Sequence, residues 1–394
     1  MLRINSGTLV SMVAVACGFV LSMGACATSQ KAFIGEEGGV EDEGGTNEGG
    51  PLADGGGEGG EGGAGGPRIA CGPTSCRSDQ KCVSNACTYD CTGTKVPGDY
   101  ATITAAVTAL GAAGNDVTIC LGAIQAGESV SISSTATTPK ALTIIATAPL
   151  QTTLGSVSVS SGFSEVTLVG FGTSSSMIVA GAAKVTLRGL KLSSPSSTTL
   201  QLRGSSLTTP SSVIVDGCDI SSTSVTSSYG VYVDGSLTAP FDVSIRNSYI
   251  HGGQYGVYLT GTTNPQIKLS ILNNTIDKAQ NAIYLAGAPT AAVSYVNNII
   301  SNSTMVAVNV TSGMTAVTHS NNALFGNTTN YSGVAVAGAA YVTADCQLDT
   351  SAGVPQTKSS SPCRGVGKVE GAPPVDYWNA SRGPKIDLGA VQGP

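Results

Sequence analysis

From Val185 to Leu324 the chain repeats an eight-residue phrase in which apolar and polar positions alternate and then break. It reads VTLRGLKL at Val185, VIVDGCDI at Val213, VSIRNSYI at Val243, LSILNNTI at Leu269, VSYVNNII at Val293 and VTHSNNAL at Val317. Alternation over the first residues predicts a short strand with one buried side. The copies return at spacings of 28, 30, 26, 24 and 24 residues, which predicts one solenoid coil per copy. Aligned, the first column is Val185, Val213, Val243, Leu269, Val293 and Val317. The eighth is Leu192, Ile220, Ile250, Ile276, Ile300 and Leu324.

Two polar columns sit between them. The fifth holds Gly189, Gly217, Asn247, Asn273, Asn297 and Asn321, residues that tolerate the positive φ of a tight bend. The sixth holds Leu190, Cys218, Ser248, Asn274, Asn298 and Asn322. Stacked asparagines about 4.8 Å apart can bond one another up the solenoid. A variable stretch and a second strand complete each coil: LQL at Leu200, VYV at Val231, VYL at Val257, IYL at Ile283 and VNV at Val308. Less regular coils are expected over 129–182, in SVSIS, ALTIIA, VSVSS, VTLVGF and MIVAG. Before them Ile103, Val107 and Leu110 share one helical face, as a helix covering the apolar end of a solenoid would require.

The inward asparagines, the coil length and the V-x-I-x-N-N-x-I phrase resemble the right-handed parallel β-helix of pectin-lyase-like proteins, over roughly residues 95–345. The fold class is therefore expected to be all-β: a right-handed parallel β-helix with an N-terminal capping helix. A disordered Gly/Glu linker and a small Cys-rich module precede it. The expected divisions are 1–25, 26–67, 68–91, 92–345 and 346–394. The last piece contains SPCRGVG, Pro373-Pro374 and RGPKIDLGAVQ. It resembles the closing segment of secreted β-helix proteins, which implies a C-terminal cap with Tyr377 and Trp378 packed on the last coil.

The N-terminus changes where this β-helix is expected to work. Met1-Leu2-Arg3 and the apolar run from Thr8 to Ala25 read as a secretory signal, and Ser22-Met23-Gly24-Ala25-Cys26 resembles a lipoprotein box. That resemblance implies cleavage before Cys26, lipid attachment to its thiol, and an outer-membrane or cell-surface location. A plain signal peptide or an uncleaved anchor is the alternative. Residues 35–67 are nearly all Gly and acid, with nine carboxylates and no Lys or Arg, so they form a tether that buries nothing. The formal charge of −6 becomes about +3 when those nine acids are set aside. Acidity thus belongs to the tether, and no basic patch points to nucleic acid.

Five cysteines follow within a short stretch: Cys71, Cys76, Cys82, Cys87 and Cys91. In an exported chain they read as a disulfide-stapled module; zinc is the alternative, although no His and no paired C-x-x-C stands there. Cys-rich pieces after Gly-rich tethers are similar to those of surface lipoproteins of myxobacterial type. Cys17 leaves with the signal, Cys26 takes the lipid, and Cys218 falls in a ladder column as a buried free thiol. Eight cysteines remain. We expect Cys91 to pair with Cys120 and Cys346 with Cys363, and the pairing inside the module stays open.

Candidate chemistry lies on the outward positions of the second strands: Gln201, Tyr232, Tyr258, Tyr284 and Asn309, with Arg203 and Asp234 two residues on from the first pair. The resemblance implies ligands along this face. Three stacked tyrosines would make a flat aromatic strip for sugar rings, or would only hold neighbouring strands together. Arg188, Asp216 and Arg246, beside Lys191, Asp219 and Tyr249, read as a ladder of exposed ion pairs, each worth about 0–1 kcal/mol. His251 is expected in a loop and His319 in an inward column.

No carboxylate cluster for a calcium-dependent lyase stands out, nor paired Asp or Glu for a hydrolase, and no metal or cofactor is called for. The expected function is a lipid-anchored β-helix acting as a binding or structural module, toward polysaccharide. A carbohydrate-active enzyme, lyase or hydrolase, working around Tyr232 and Asp234 is the alternative. A spacer or an adhesin that binds protein is the third.

Overall fold

The computed structural model describes residues 68–393 apart from 73, 125–126, 136–139, 161, 196, 204–208, 236–238, 261–266, 287–290 and 315. The signal, Cys26 and the tether lie outside the described residues. The repeated phrases stack in register as three parallel sheets of ten, eight and nine strands. The first sheet holds strands such as Lys184–Arg188, Ser211–Asp216, Phe241–Arg246, Ile267–Leu272 and Ala292–Val296. The second follows the bend, with Asp219–Ser222, Tyr249–Gly252 and Thr275–Asp277. The third contains Leu200–Arg203, Tyr229–Asp234, Tyr255–Thr260, Asn281–Leu285 and Val306–Val310.

Columns one and eight form the core, and nearly every member is fully buried. The fifth column supplies the bend, with φ between +51° and +60° from Gly189 to Asn321. The sixth column turns inward. Asn298 Oδ1 accepts from the backbone N–H of Asn274 at 2.9 Å, and Asn322 Oδ1 accepts from that of Asn298 at 2.9 Å. The Asn298 amide donates to the Ile271 carbonyl at 2.8 Å and to Asn322 Oδ1 at 3.0 Å. Each side chain thereby satisfies backbone groups that the bend removes from the ladders. Cys218, in the same column, is a buried free thiol whose pKa is pushed up to about 12 by burial.

At the N-terminal end, helix α1 (Ile103–Gly111) buries Ile103, Ala106 and Val107 against the first strands, where another coil would otherwise stack. Thr102 accepts from the Ala105 N–H at 3.1 Å, and Glu128 accepts from that of Ile103 at 2.9 Å. These contacts cap the helix with a hydroxyl and a carboxylate. Leu110 is only partly buried beside this core.

The disulfides Cys91–Cys120 and Cys346–Cys363 form as expected, and the module closes with Cys71–Cys82 and Cys76–Cys87. The zinc alternative is corrected. Cys71, Cys76 and Cys87 sulfurs do lie close together, but disulfide bonding removes the thiolates a metal needs.

The tail departs from the expected cap. Residues 346–393 turn back and run along the bend between the first and second sheets, and the outward asparagines of column five hold them there. Asn321 donates to the Val366 carbonyl at 2.9 Å, Asn297 to Lys368 at 2.8 Å, and Asn273 to Asp387 at 3.1 Å. Arg382, buried, donates to Asn247 Oδ1 at 3.0 Å and to the Gly389 and Ala390 carbonyls. Tyr377 and Trp378 pack with Tyr249, Val354 and Val391 in the middle of the solenoid, not on the last coil. Nearness in sequence to the last coil was a poor guide, because the tail has no alternation of its own to fix its course.

The Cys-rich module covers the same corner one step earlier. Tyr89 lies over Gly170 and Gly189, and Arg77 donates to the carbonyls of Gly217 and Tyr377. A Cβ at Gly189 would stand 2.9 Å from Tyr89 Oη, and one at Gly217 would stand 2.5 Å from Arg77 Nη1. Column five is glycine where module side chains press on the bend and asparagine where it bonds the tail, through Arg382 at Asn247 and through backbone carbonyls at Asn273, Asn297 and Asn321. The two covers meet: the Ser78 N–H donates to the Trp378 carbonyl at 2.9 Å, and Arg68 donates to Gln356 at 2.7 Å.

The expected exposed charge ladder is corrected by this cover. Asp216 is only 7% exposed and accepts from Arg246 at 2.9 Å and Asn247 at 2.8 Å. Arg188 pairs with Asp79 of the module at 3.1 Å. His251 lies in a strand, not a loop, with Nε2 at 3.0 Å from Asp219 Oδ1. Strand alternation assigns a residue to the outer side but does not say what lies over that side.

Two outcomes follow. Asn298→Ala leaves several buried polar groups without partners and should cost about 3 kcal/mol, read by chemical denaturation; a loss under about 1 kcal/mol would contradict the ladder's role. His319, half-buried on the outermost strand of the first sheet, stacks on Tyr295 at 4.7 Å, and partial burial holds its pKa below the usual value. The unfolded chain therefore takes up this proton first. The contribution of this group should be constant well above the ordinary histidine pKa of about 6.5 and be lost as pH falls below it. Thermal denaturation of His319→Phe should lack the part of the pH slope due to this group.

Candidate functional site: the tyrosine face

The third sheet presents its outer side free of both covers. A coil has three sides, so the corner occupied by module and tail points away from this sheet. Gln201, Tyr232, Tyr258, Tyr284 and Asn309 stand in one column, each the register partner of the next. Arg203 and Asp234 are partners in the adjoining column, followed by Thr260. Arg203 donates to Gln201 Oε1 at 2.9 Å.

Two residues that pattern reading passed over complete the site. Tyr229 and Tyr255 are partners in a column of their own, at the leading end of the strands. Their signal was present as the text YGVY, which begins at both positions. In each copy the glycine and the following valine are both buried, so the two flanking tyrosines emerge on the same side. The glycine is required by close approach: a Cβ at Gly230 would stand 2.7 Å from the Gly256 carbonyl oxygen, and one at Gly256 would stand 2.6 Å from that of Ala282.

The five rings form a herringbone. Within columns the rings are nearly parallel: Tyr229–Tyr255 at 5.2 Å and 11°, Tyr232–Tyr258 at 5.6 Å and 13°, Tyr258–Tyr284 at 5.4 Å and 16°. Between columns they cross at 60–75°, with centroids 4.9–5.2 Å apart. The flat strip expected from spacing alone is therefore corrected. Each ring leans on its neighbours, and what faces solvent is a ridged surface of ring edges and hydroxyls. Partial burial raises the pKa of Tyr232, Tyr255 and Tyr258; for Tyr232 the Asp234 carboxylate adds to this, while Thr260 and Arg203 work against it. These phenols stay protonated at neutral pH and both donate and accept.

Charge is sparse here. Asp234 is the one carboxylate on the third sheet among the described residues. The segments that lead from this sheet to the first, 204–210, 235–240, 261–266 and 286–291, contain no charged residue and no histidine in sequence. The surface offers ring edges and neutral hydroxyls with little charge, and on this face the paired carboxylates of glycoside hydrolysis are not present among the described residues.

A separate groove lies between the second sheet and the Cys346–Cys363 loop, lined by Asp277, Lys278, Asn302, Phe325, Asp345 and Lys358. Its Asp277 is already engaged by Ser301 and Asn302, both at 2.8 Å, and by Lys278 at 3.4 Å.

The array supports itself through ring contacts, so Tyr258→Ala should cost about 2 kcal/mol while Tyr258→Phe stays within about 0.5 kcal/mol of the parent. Equal losses in the two variants, read by denaturant titration, would show that hydroxyls and not rings hold the face together.

No curated protein matches the chain. Residues 175–346 match the family model described as the right handed beta helix region, the stretch that contains the tyrosine face and all six copies of the repeated phrase, so this part of the chain is a right-handed parallel β-helix domain.

Proposed function

We propose that the chain is an exported, lipid-anchored surface protein whose β-helix binds extended polysaccharide along the tyrosine face. The observation that carries this reading is the herringbone of five half-exposed tyrosines, held in register over consecutive coils and bordered by Gln201, Asn309, Thr260, Arg203 and Asp234. Ring edges offer apolar contact to sugar C–H groups, and protonated hydroxyls offer bonds to sugar hydroxyls. A stiff sheet needs little reordering to bind, which lowers the entropic cost of holding a long chain. Export and anchoring are supported by the apolar run, the box ending at Cys26 and the Gly/acid tether. The four disulfides suit an oxidising compartment. Arg68, the first described residue, bonds the tail at Gln356 and Gln392 and not the third sheet.

The enzymatic alternative around Asp234 and Arg203 has less support, because one carboxylate cannot serve as both acid and base in the paired scheme.

Binding to a broad polysaccharide panel tests the proposal. The parent should retain at least one neutral glycan. A Tyr232→Ala, Tyr258→Ala, Tyr284→Ala variant should lose it, with affinity down at least about tenfold, or about 1.4 kcal/mol. The corresponding triple Phe variant should fold like the parent and bind with intermediate affinity. No binding by the parent across the panel, or equal binding by the triple Ala variant, would overturn the reading.

A further inference from the structure

The two ends of the solenoid are finished differently. At the N-terminal end α1 and Glu128 close the first coil. At the C-terminal end the chain leaves the strand Thr329–Gly333 and crosses the last coil as VAVAG, with Ala335 turned toward the core. It then lies beside Ser320 at Ala339 and beside Ala323 at Val342. Val334, Val336 and Tyr341 point outward, 49%, 63% and 43% exposed. The strand Thr329–Gly333 pairs with Val306–Val310 on one side only, as the outermost member of its sheet.

From Val317 to Ala344 there is no Asp, Glu, Lys or Arg. Exposed sheet edges are ordinarily protected by charges, prolines or a covering element, because an open edge recruits other strands. This edge carries none of those charges and no proline, and the tail does not cover the crossing segment. It passes Asn321 and runs back toward Gly217, leaving Val334 and Val336 exposed. The tether stretch 35–67 has no apolar run with which to cover it.

We infer that this end is an interface with a second copy of the chain, the two solenoids meeting C-terminal end to C-terminal end about a two-fold axis. Three features select that occupant. An uncharged face meets its own copy without like-charge repulsion, which a charged end would incur. An open strand edge is complementary to itself when rotated by a two-fold, since the edges then run antiparallel and exchange N–H and C=O groups. Head-to-tail stacking is blocked by α1, so assembly closes at two copies and does not grow into a fibre. The inference does not depend on the glycan reading.

Sedimentation of the full chain in non-ionic detergent, and of a chain lacking residues 1–67, tests it. Both should sediment as dimers at micromolar concentration. The Val334→Glu, Val336→Glu variant should be monomeric, or weaker by at least about tenfold in dimer affinity. Both substituted positions are exposed, so its melting curve when monomeric should match that of the parent diluted to monomer. Amide exchange at 329–336 should slow as parent concentration rises. A parent that stays monomeric at all accessible concentrations would overturn the inference. So would a dimer indifferent to the two glutamates, or one lost on removal of residues 1–67.

Discussion

The structure depends on one backbone constraint, the bend at positive φ that ends each repeated strand of the first sheet from Lys184–Arg188 to Val317–Ser320. A residue in that conformation has few identities open to it, which is why column five is glycine or asparagine throughout. The bend also takes two consecutive side chains out of the strand alternation and turns them to opposite sides. The inward one, in column six, must satisfy the backbone groups that the turn leaves unpaired, and Asn274, Asn298 and Asn322 do so by bonding to the backbone of the preceding coil. The outward one is left as a regular row of amides along one corner. The tail is held by that row, and the Cys-rich module sits where the row is replaced by glycine.

This arrangement divides the surface into a closed flank and an open one. Module and tail bury Tyr249, Asp216 and the apolar outer positions Ile299 and Ala323 of the second sheet. Arg77 and Arg382 are spent on carbonyls of the corner and on its asparagine. Among the described residues neither module nor tail covers the third sheet, and there the outward tyrosines pack against one another. The tyrosines lean together because adjacent parallel strands bring identical residues into contact at every coil, the side-chain analogue of the asparagine ladder. Stability and accessibility thus coincide on one face, which is unusual for a surface that would otherwise be explained by strand pairing alone.

Much of the fold was legible because a solenoid writes its register into the sequence. The columns Val185 to Val317 and Leu192 to Leu324 name the core, and the Gly/Asn column names the bend. The outward tyrosines followed from counting by two. What lay over the outer positions was not legible. Asp216 alternates like an exposed residue, and only the Cys-rich module and the tail, which have no period, make it buried, while its partner Arg246 stays partly exposed. The outward asparagines look like simple bend residues until the tail is seen to need them. Tyr229 and Tyr255 were passed over because the corner at Gly230 and Gly256 interrupts the period of two, placing them on the side that counting assigns to the core. The herringbone itself depends on side-chain tilt, which spacing does not carry.

The central claim is that ligand meets the tyrosine face and not the flank covered by the module and the tail. Its most direct test is to follow the tyrosine ring resonances by NMR while a neutral polysaccharide is added. The account predicts shifts confined to Tyr229, Tyr232, Tyr255, Tyr258 and Tyr284, with Tyr249 and Tyr377 on the covered flank unchanged. Shifts centred on Tyr249 and Tyr377, or none at any tyrosine for every glycan tried, would contradict it.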